Sequence, residues 1–96
     1  MRIVFLHTVL GVTDIFAELI RRYLPPATDV LHIVDETIIA AVRIAGGPTA
    51  AVERRIREHA VAAAAADADA MQITCSSVSP CAEAIGPSAP LPIFTI

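Results

Sequence analysis

Three features of the 96-residue chain predict an α/β domain built on a parallel sheet. Short apolar runs recur at residues 2–7, 29–34, 70–73 and 91–96 and read as strands, those at 2–7 and 70–73 as buried strands of a parallel sheet. Between them the apolar residues follow the 3.6-residue period of amphipathic helices. Proline and glycine clusters (Pro25-Pro26, Gly46-Gly47-Pro48, Gly86-Pro87) mark the changes from one pattern to the other. Strands alternating with helices fold as a doubly wound sheet.

The first strand, residues 2–7, is apolar almost throughout and breaks at His7-Thr8-Val9-Leu10-Gly11. Thr13-Asp14 opens a helix whose Ile15, Phe16, Leu19, Ile20, Tyr23 and Leu24 keep the helical period. Pro25-Pro26 ends it, because proline donates no N–H and disfavours the α region in the residue before it. The second strand covers residues 29–34. Asp35 is placed to cap a short helix from Glu36 to about Ile44, closed by Gly46-Gly47. A longer helix runs from Pro48 to about Ala66. Val52, Ile56, Ala60 and Ala63 form its inner face, with Arg54, Arg55 and Glu58 towards solvent. Its alanine-rich end stays helical, since alanine is the best helix former.

The third strand, Ala70 to Ile73, runs into Thr74-Cys75-Ser76-Ser77, and a helix follows with Ser79 as N-cap and Pro80 at its first position. Residues 86–90 form a loop before a fourth strand, Leu91 to Ile96. Right-handed crossovers between these strands give the order 2-1-3-4 of flavodoxin-like domains. In that order the chain reverses direction between strands 1 and 3, and ligands sit beyond the carboxyl ends of strands at such a point. The ends there are His7-Thr8 and Thr74-Cys75-Ser76.

Cys75 thus lies at a strand end facing a helix N-terminus, where free N–H groups and the helix dipole favour anions. The same field lowers a thiol's pKa and raises its thiolate fraction. A carboxylate beside a thiolate is the chemistry this stretch suits. The plainer alternative treats Cys75 as a small buried apolar residue. Cys81, six residues on and inside the helix, reads as core packing. Asp35 is as well explained by capping as by a site, and His32, inside a strand, and His59, on a helix, receive no role.

Composition narrows the function classes. All seven cations are arginine and the net charge is −3, so the basic stripe of a nucleic-acid binder is absent. Arg21-Arg22 and Arg54-Arg55-Arg57 fall within helical patterns and read as solvated faces. No apolar stretch reaches the roughly 18 residues of a membrane span. The N-terminal run is too short for a signal peptide, and two cysteines without an export signal indicate free thiols in a reducing, cytoplasmic setting. Cys75 and Cys81 lack metal-finger spacing and the three histidines are scattered, so no metal site is expected.

With these residues in view, the chain resembles the N-terminal lobe of the aspartate/glutamate racemase superfamily, which also includes hydantoin racemases and maleate isomerases. The matching pieces are His7-Thr8 at the first strand end, Val34-Asp35-Glu36, Gly46-Gly47 before the long helix, and Thr74-Cys75-Ser76-Ser77 after the third strand. The resemblance covers essentially the whole chain. It implies two flavodoxin-like lobes facing across a cleft, no cofactor, and a small carboxylate substrate such as an amino acid or dicarboxylate. One cysteine per lobe flanks the substrate's α-carbon. Cys75 would be the first-lobe acid/base, with Ser76 and Ser77 gripping the substrate carboxylate and His7, Thr8 and Thr74 as further substrate contacts. His7 and Thr8 read equally well as a polar pair capping a strand end.

The chain departs from that pattern in carrying no second lobe and no second such cysteine. One racemase-like lobe, incomplete by itself, is therefore expected over residues 1–96, as a homodimer or in need of a second lobe. The competing expectation is a non-catalytic single-lobe module that holds a small anion or pairs with another chain.

Overall fold

The computed structural model describes all 96 residues, Met1–Ile96. Four parallel strands, β1 (Arg2–His7), β2 (Asp29–Val34), β3 (Ala70–Ile73) and β4 (Ile93–Phe94), lie side by side in the order β2-β1-β3-β4. Helices α1 (Thr13–Tyr23), α2 (Glu36–Ala45), α3 (Ala50–Ala65) and α4 (Ser79–Ile85) connect them. This is the flavodoxin-like doubly wound arrangement expected from the alternation of patterns. No helix is long and apolar enough to cross a membrane.

β1 is the central strand. It pairs with β2 along its whole length, from Arg2 opposite Asp29 to His7 opposite Val34, and with β3 from Ile3 opposite Ala70 to Leu6 opposite Ile73. Side chains alternate across the sheet, so this register sorts them onto two faces. Val4, Leu6, Met71 and Ile73 point to one face, where they join Ile38, Val42, Val52, Ile56, Ala60, Ala63, Val78, Cys81 and Ile85 in the hydrophobic core. Each large aliphatic side chain buried there contributes about 1.5–3 kcal/mol. α2, α3 and α4 therefore hold the sheet from one side.

The other face carries α1 alone, and no residue of α1 is buried. Its Ile15, Leu19 and Tyr23 stay exposed, as does Phe94 of β4. An open groove of about 310 Å³ runs between α1 and the C-terminal residues, lined by Phe5, Phe16, Leu19, Tyr23, Gln72 and Ile96 among others. The core of this fold is one-sided.

Three boundaries differ from the sequence reading, each for a local reason. The long helix begins at Ala50, not Pro48, because Thr49 adopts an extended conformation and accepts the Val52 N–H at 3.3 Å. The fourth strand is only Ile93–Phe94 rather than Leu91–Ile96. Pro90 and Pro92 donate no N–H there, although the Pro92 carbonyl still accepts from Met71 at 3.0 Å. Ser79 is not the N-cap of α4. A 3-10 turn over Ser76–Val78 starts the winding three residues earlier, Val78 takes the cap position, and Ser79 becomes the first helical residue. Its hydroxyl is buried without a partner. α2 ends as expected on Gly46, whose φ of 78° is the left-handed conformation that glycine adopts without strain.

Candidate functional site

At the carboxyl edge of the sheet the ladder continues past the regular strands. The Thr74 N–H donates to the Leu6 carbonyl at 3.1 Å and the Asp35 N–H to the His7 carbonyl at 2.9 Å. Parallel pairing thus gathers the ends of β1, β2 and β3 into one crest. The two-residue alternation then separates the side chains that share it.

His7 and Thr74 point to the α1 face. His7 is fully buried, with Nδ1 2.8 Å from Thr74 Oγ1 and Nε2 2.8 Å from His32 Nδ1. Thr74 Oγ1 lies 3.3 Å from the Leu6 carbonyl, to which it donates. The hydrogen-bond network then assigns the protons: His7 Nδ1–H donates to Thr74, and His7 Nε2 accepts from His32 Nδ1–H. Phe5 and Phe16 flank the His7 ring, each with its centroid about 6 Å away. Burial, and then the adjacent His32, push His7 below the ordinary histidine value of 6.5. Thr8 is buried as well. His7, His32 and Thr74 thus tie the strand ends together from inside.

Cys75 leaves β3 in an extended conformation (φ −128°, ψ 116°) and is half-buried, packing against the edge of the core on the opposite face. Ser76 and Ser77 follow it into the 3-10 turn and are exposed. The first N–H groups of such a turn have no acceptor within it, so they are open to an anion or to water. Of the expected site residues, the structure brings His7 to Thr74 and sets Cys75 beside Ser76 and Ser77, on two sides of the sheet. The three cavities of the molecule lie elsewhere, and none is lined by Cys75, Ser76 or Ser77. Cys81 is buried in the core, and burial followed by the nearby Glu53 pushes its thiol up.

Asp35, left between capping and a site by the sequence, is a cap and a hub. It is nearly buried, accepts the Thr37 N–H at 3.0 Å, and also bonds the Thr37 hydroxyl. From α3, Arg55 Nε reaches it at 2.8 Å and His59 Nε2 at 2.7 Å. Burial opposes its ionisation, but the bonds from Thr37, His59 and Arg55 outweigh that and hold the carboxyl well below the usual range. Arg55 lies towards solvent as expected, with its side chain 49% exposed, and reaches back to Asp35 from there.

Two histidines given no role by the sequence take part in these networks. His32 shares a face with His7 because both sit at alternate positions on paired parallel strands. His59 shares a face with Arg55 because they are four residues apart on α3. Comparison of the chain with protein families, with curated proteins and with solved structures gave no match.

Proposed function

We propose that the chain is a lobe of the aspartate/glutamate racemase kind, working in a cofactor-independent racemase or isomerase at a carbon next to a carboxylate. The observation that carries this reading is the position of Cys75, a half-exposed thiol at the carboxyl end of β3 and at the switch point of the sheet. Exposed Ser76 and Ser77 stand immediately beside it. In this reading the substrate carboxylate binds the Ser76 and Ser77 amides and hydroxyls. The Cys75 thiolate takes the proton from the adjacent carbon, leaving the electron pair delocalised into the substrate. Where the reaction is an isomerisation, the same thiolate adds to the substrate as a nucleophile instead. His7, Thr8 and Thr74 hold the crest in shape beneath it.

Racemisation also needs a proton returned from the opposite side. Cys81 cannot supply it, being buried in the core. The second thiol must come from a second lobe or another copy of the chain, so the chain alone is proposed to bind without turning over. A non-catalytic single-lobe module that holds a small anion or pairs with another chain is the second reading, favoured by the uncovered apolar groove beside α1.

Alkylation by iodoacetamide, followed peptide by peptide with mass spectrometry, tests the binding step. Cys75 should label well before Cys81, and aspartate, glutamate or another dicarboxylate should slow that labelling severalfold. Cys81 labelling first, or a Cys75 rate indifferent to every dicarboxylate, would overturn the proposal.

A further inference from the structure

A cleft of about 370 Å³ lies between α2 and α3, away from Cys75. Its floor is made by Ile38 and Val52, both core residues, and its sides by Ala41 and Ala51. Ala41 on α2 and Ala51 on α3 are both short side chains, and larger ones at these lining positions would fill the cleft. Its size is at the lower end of the range for small-molecule sites.

Two polar groups complete the lining, Thr37 and Arg55. Both are tethered to the same carboxylate. Asp35, only 6% exposed, bonds the Thr37 hydroxyl and Arg55 Nε. Anchoring Arg55 through Nε fixes its guanidinium plane while leaving the terminal nitrogens, of which Nη1 makes only a 3.9 Å contact to exposed Glu58. A guanidinium held by one edge beside an apolar cleft suits a carboxylate with a small hydrocarbon body. The neighbouring Asp35 and Glu58, with Glu36 in the first turn of α2, disfavour a second negative charge on the ligand.

We propose that the α2–α3 cleft binds a short, branched aliphatic monocarboxylate, with its carboxylate on Arg55 and its hydrocarbon against Ile38, Ala41, Ala51 and Val52. This site is separate from Cys75 and stands whether or not that residue is catalytic.

The test is an NMR titration of the intact chain with 3-methylbutanoate, following backbone amides. A ligand this small binds in the millimolar range. Saturable shifts are expected at Thr37, Ala41, Ala51 and Arg55. Ala51 is exposed, so Ala51→Leu fills the cleft without disturbing the core, and should weaken binding about tenfold or more. Arg55→Gln should do the same, and 3-methylbutanol, of the same shape without the charge, should bind about tenfold more weakly or worse. Inorganic phosphate should not displace the acid. The proposal fails if the shifts lie elsewhere, if Ala51→Leu binds as the parent does, or if the alcohol or phosphate competes equally. Should Arg55→Gln loosen the helix pair, Ala51→Leu and the alcohol still decide.

Discussion

Replacing Asp35 by alanine removes, in one step, the cap of α2 and the hub that joins α2 to α3. The cap contributes about 1 kcal/mol. Truncation also strands His59 Nε2, on a side chain only 16% exposed, and a mostly buried polar group left without its partner costs about 1–3 kcal/mol. Arg55 is solvated and adds nothing to this sum. Asp35→Ala should therefore destabilise by about 2–4 kcal/mol. Asp35→Asn keeps an oxygen for the Thr37 N–H and should cost roughly half as much. Urea unfolding at pH 7, followed by circular dichroism, measures both. With a slope near 1 kcal/mol per M, as suits a chain of this size, the alanine midpoint should fall by at least about 2 M. Acid gives a second readout. In the unfolded chain the carboxyl takes up its proton near 3.8, while in the folded chain it resists to much lower pH. Its contribution is thus complete above about pH 4 and is lost as pH falls below that, a loss that Asp35→Asn should not show. An alanine variant within about 0.5 kcal/mol of the parent would refute the hub.

Two further outcomes follow from the opposite face of the sheet. His7 is held below its ordinary value of 6.5, so the unfolded chain binds the proton first as pH falls. Stability should then be full above about pH 6.5 and decline below it, with the decline abolished in His7→Asn; a chain equally stable at pH 7.5 and 5.5 would count against a neutral, buried His7. The open groove beside α1 should drive association, because isolated soluble domains rarely leave such apolar faces uncovered. Sedimentation at micromolar concentration should show a dimer or larger species that Leu19→Glu disperses, and α-proton exchange by the chain alone should be negligible. A stable monomer that exchanges the α-proton of aspartate or glutamate would contradict this account.

The parts of the fold that depend on period and punctuation could be read from the sequence. Runs such as Arg2–His7 and Ala70–Ile73 have few competing readings, and Pro25-Pro26 can only stop a helix. Strand order followed from crossover handedness, which needs no side-chain detail. What escaped depends on local competition or on long-range pairing. Ser79 looks like a cap, but nothing in the sequence says that Ser76–Val78 will wind first and absorb it. Leu91–Ile96 looks like a strand, yet Pro92 offers only its carbonyl to the ladder and the regular pairing is confined to Ile93–Phe94. The position of Thr74-Cys75-Ser76 at the carboxyl end of β3 is legible in the sequence, because it follows from topology. The division of the crest is not legible locally, since His7 and Thr74 go to one face and Cys75 to the other by a parity that only the register sets. The His7–His32 contact was within reach of the same parity argument. Asp35 with Arg55 and His59 joins residues 20 and 24 apart, and no local pattern announces it.

The most direct measurement on Cys75 and its neighbours is an amide NMR titration of the isotope-labelled chain with L-aspartate and L-glutamate. Saturable shifts centred on Cys75, Ser76 and Ser77, and lost in Ser76→Pro, are the result predicted for a carboxylate held at the end of β3. Shifts that centre on another surface, or a Cys75–Ser77 segment unmoved at saturating ligand, would contradict the central claim.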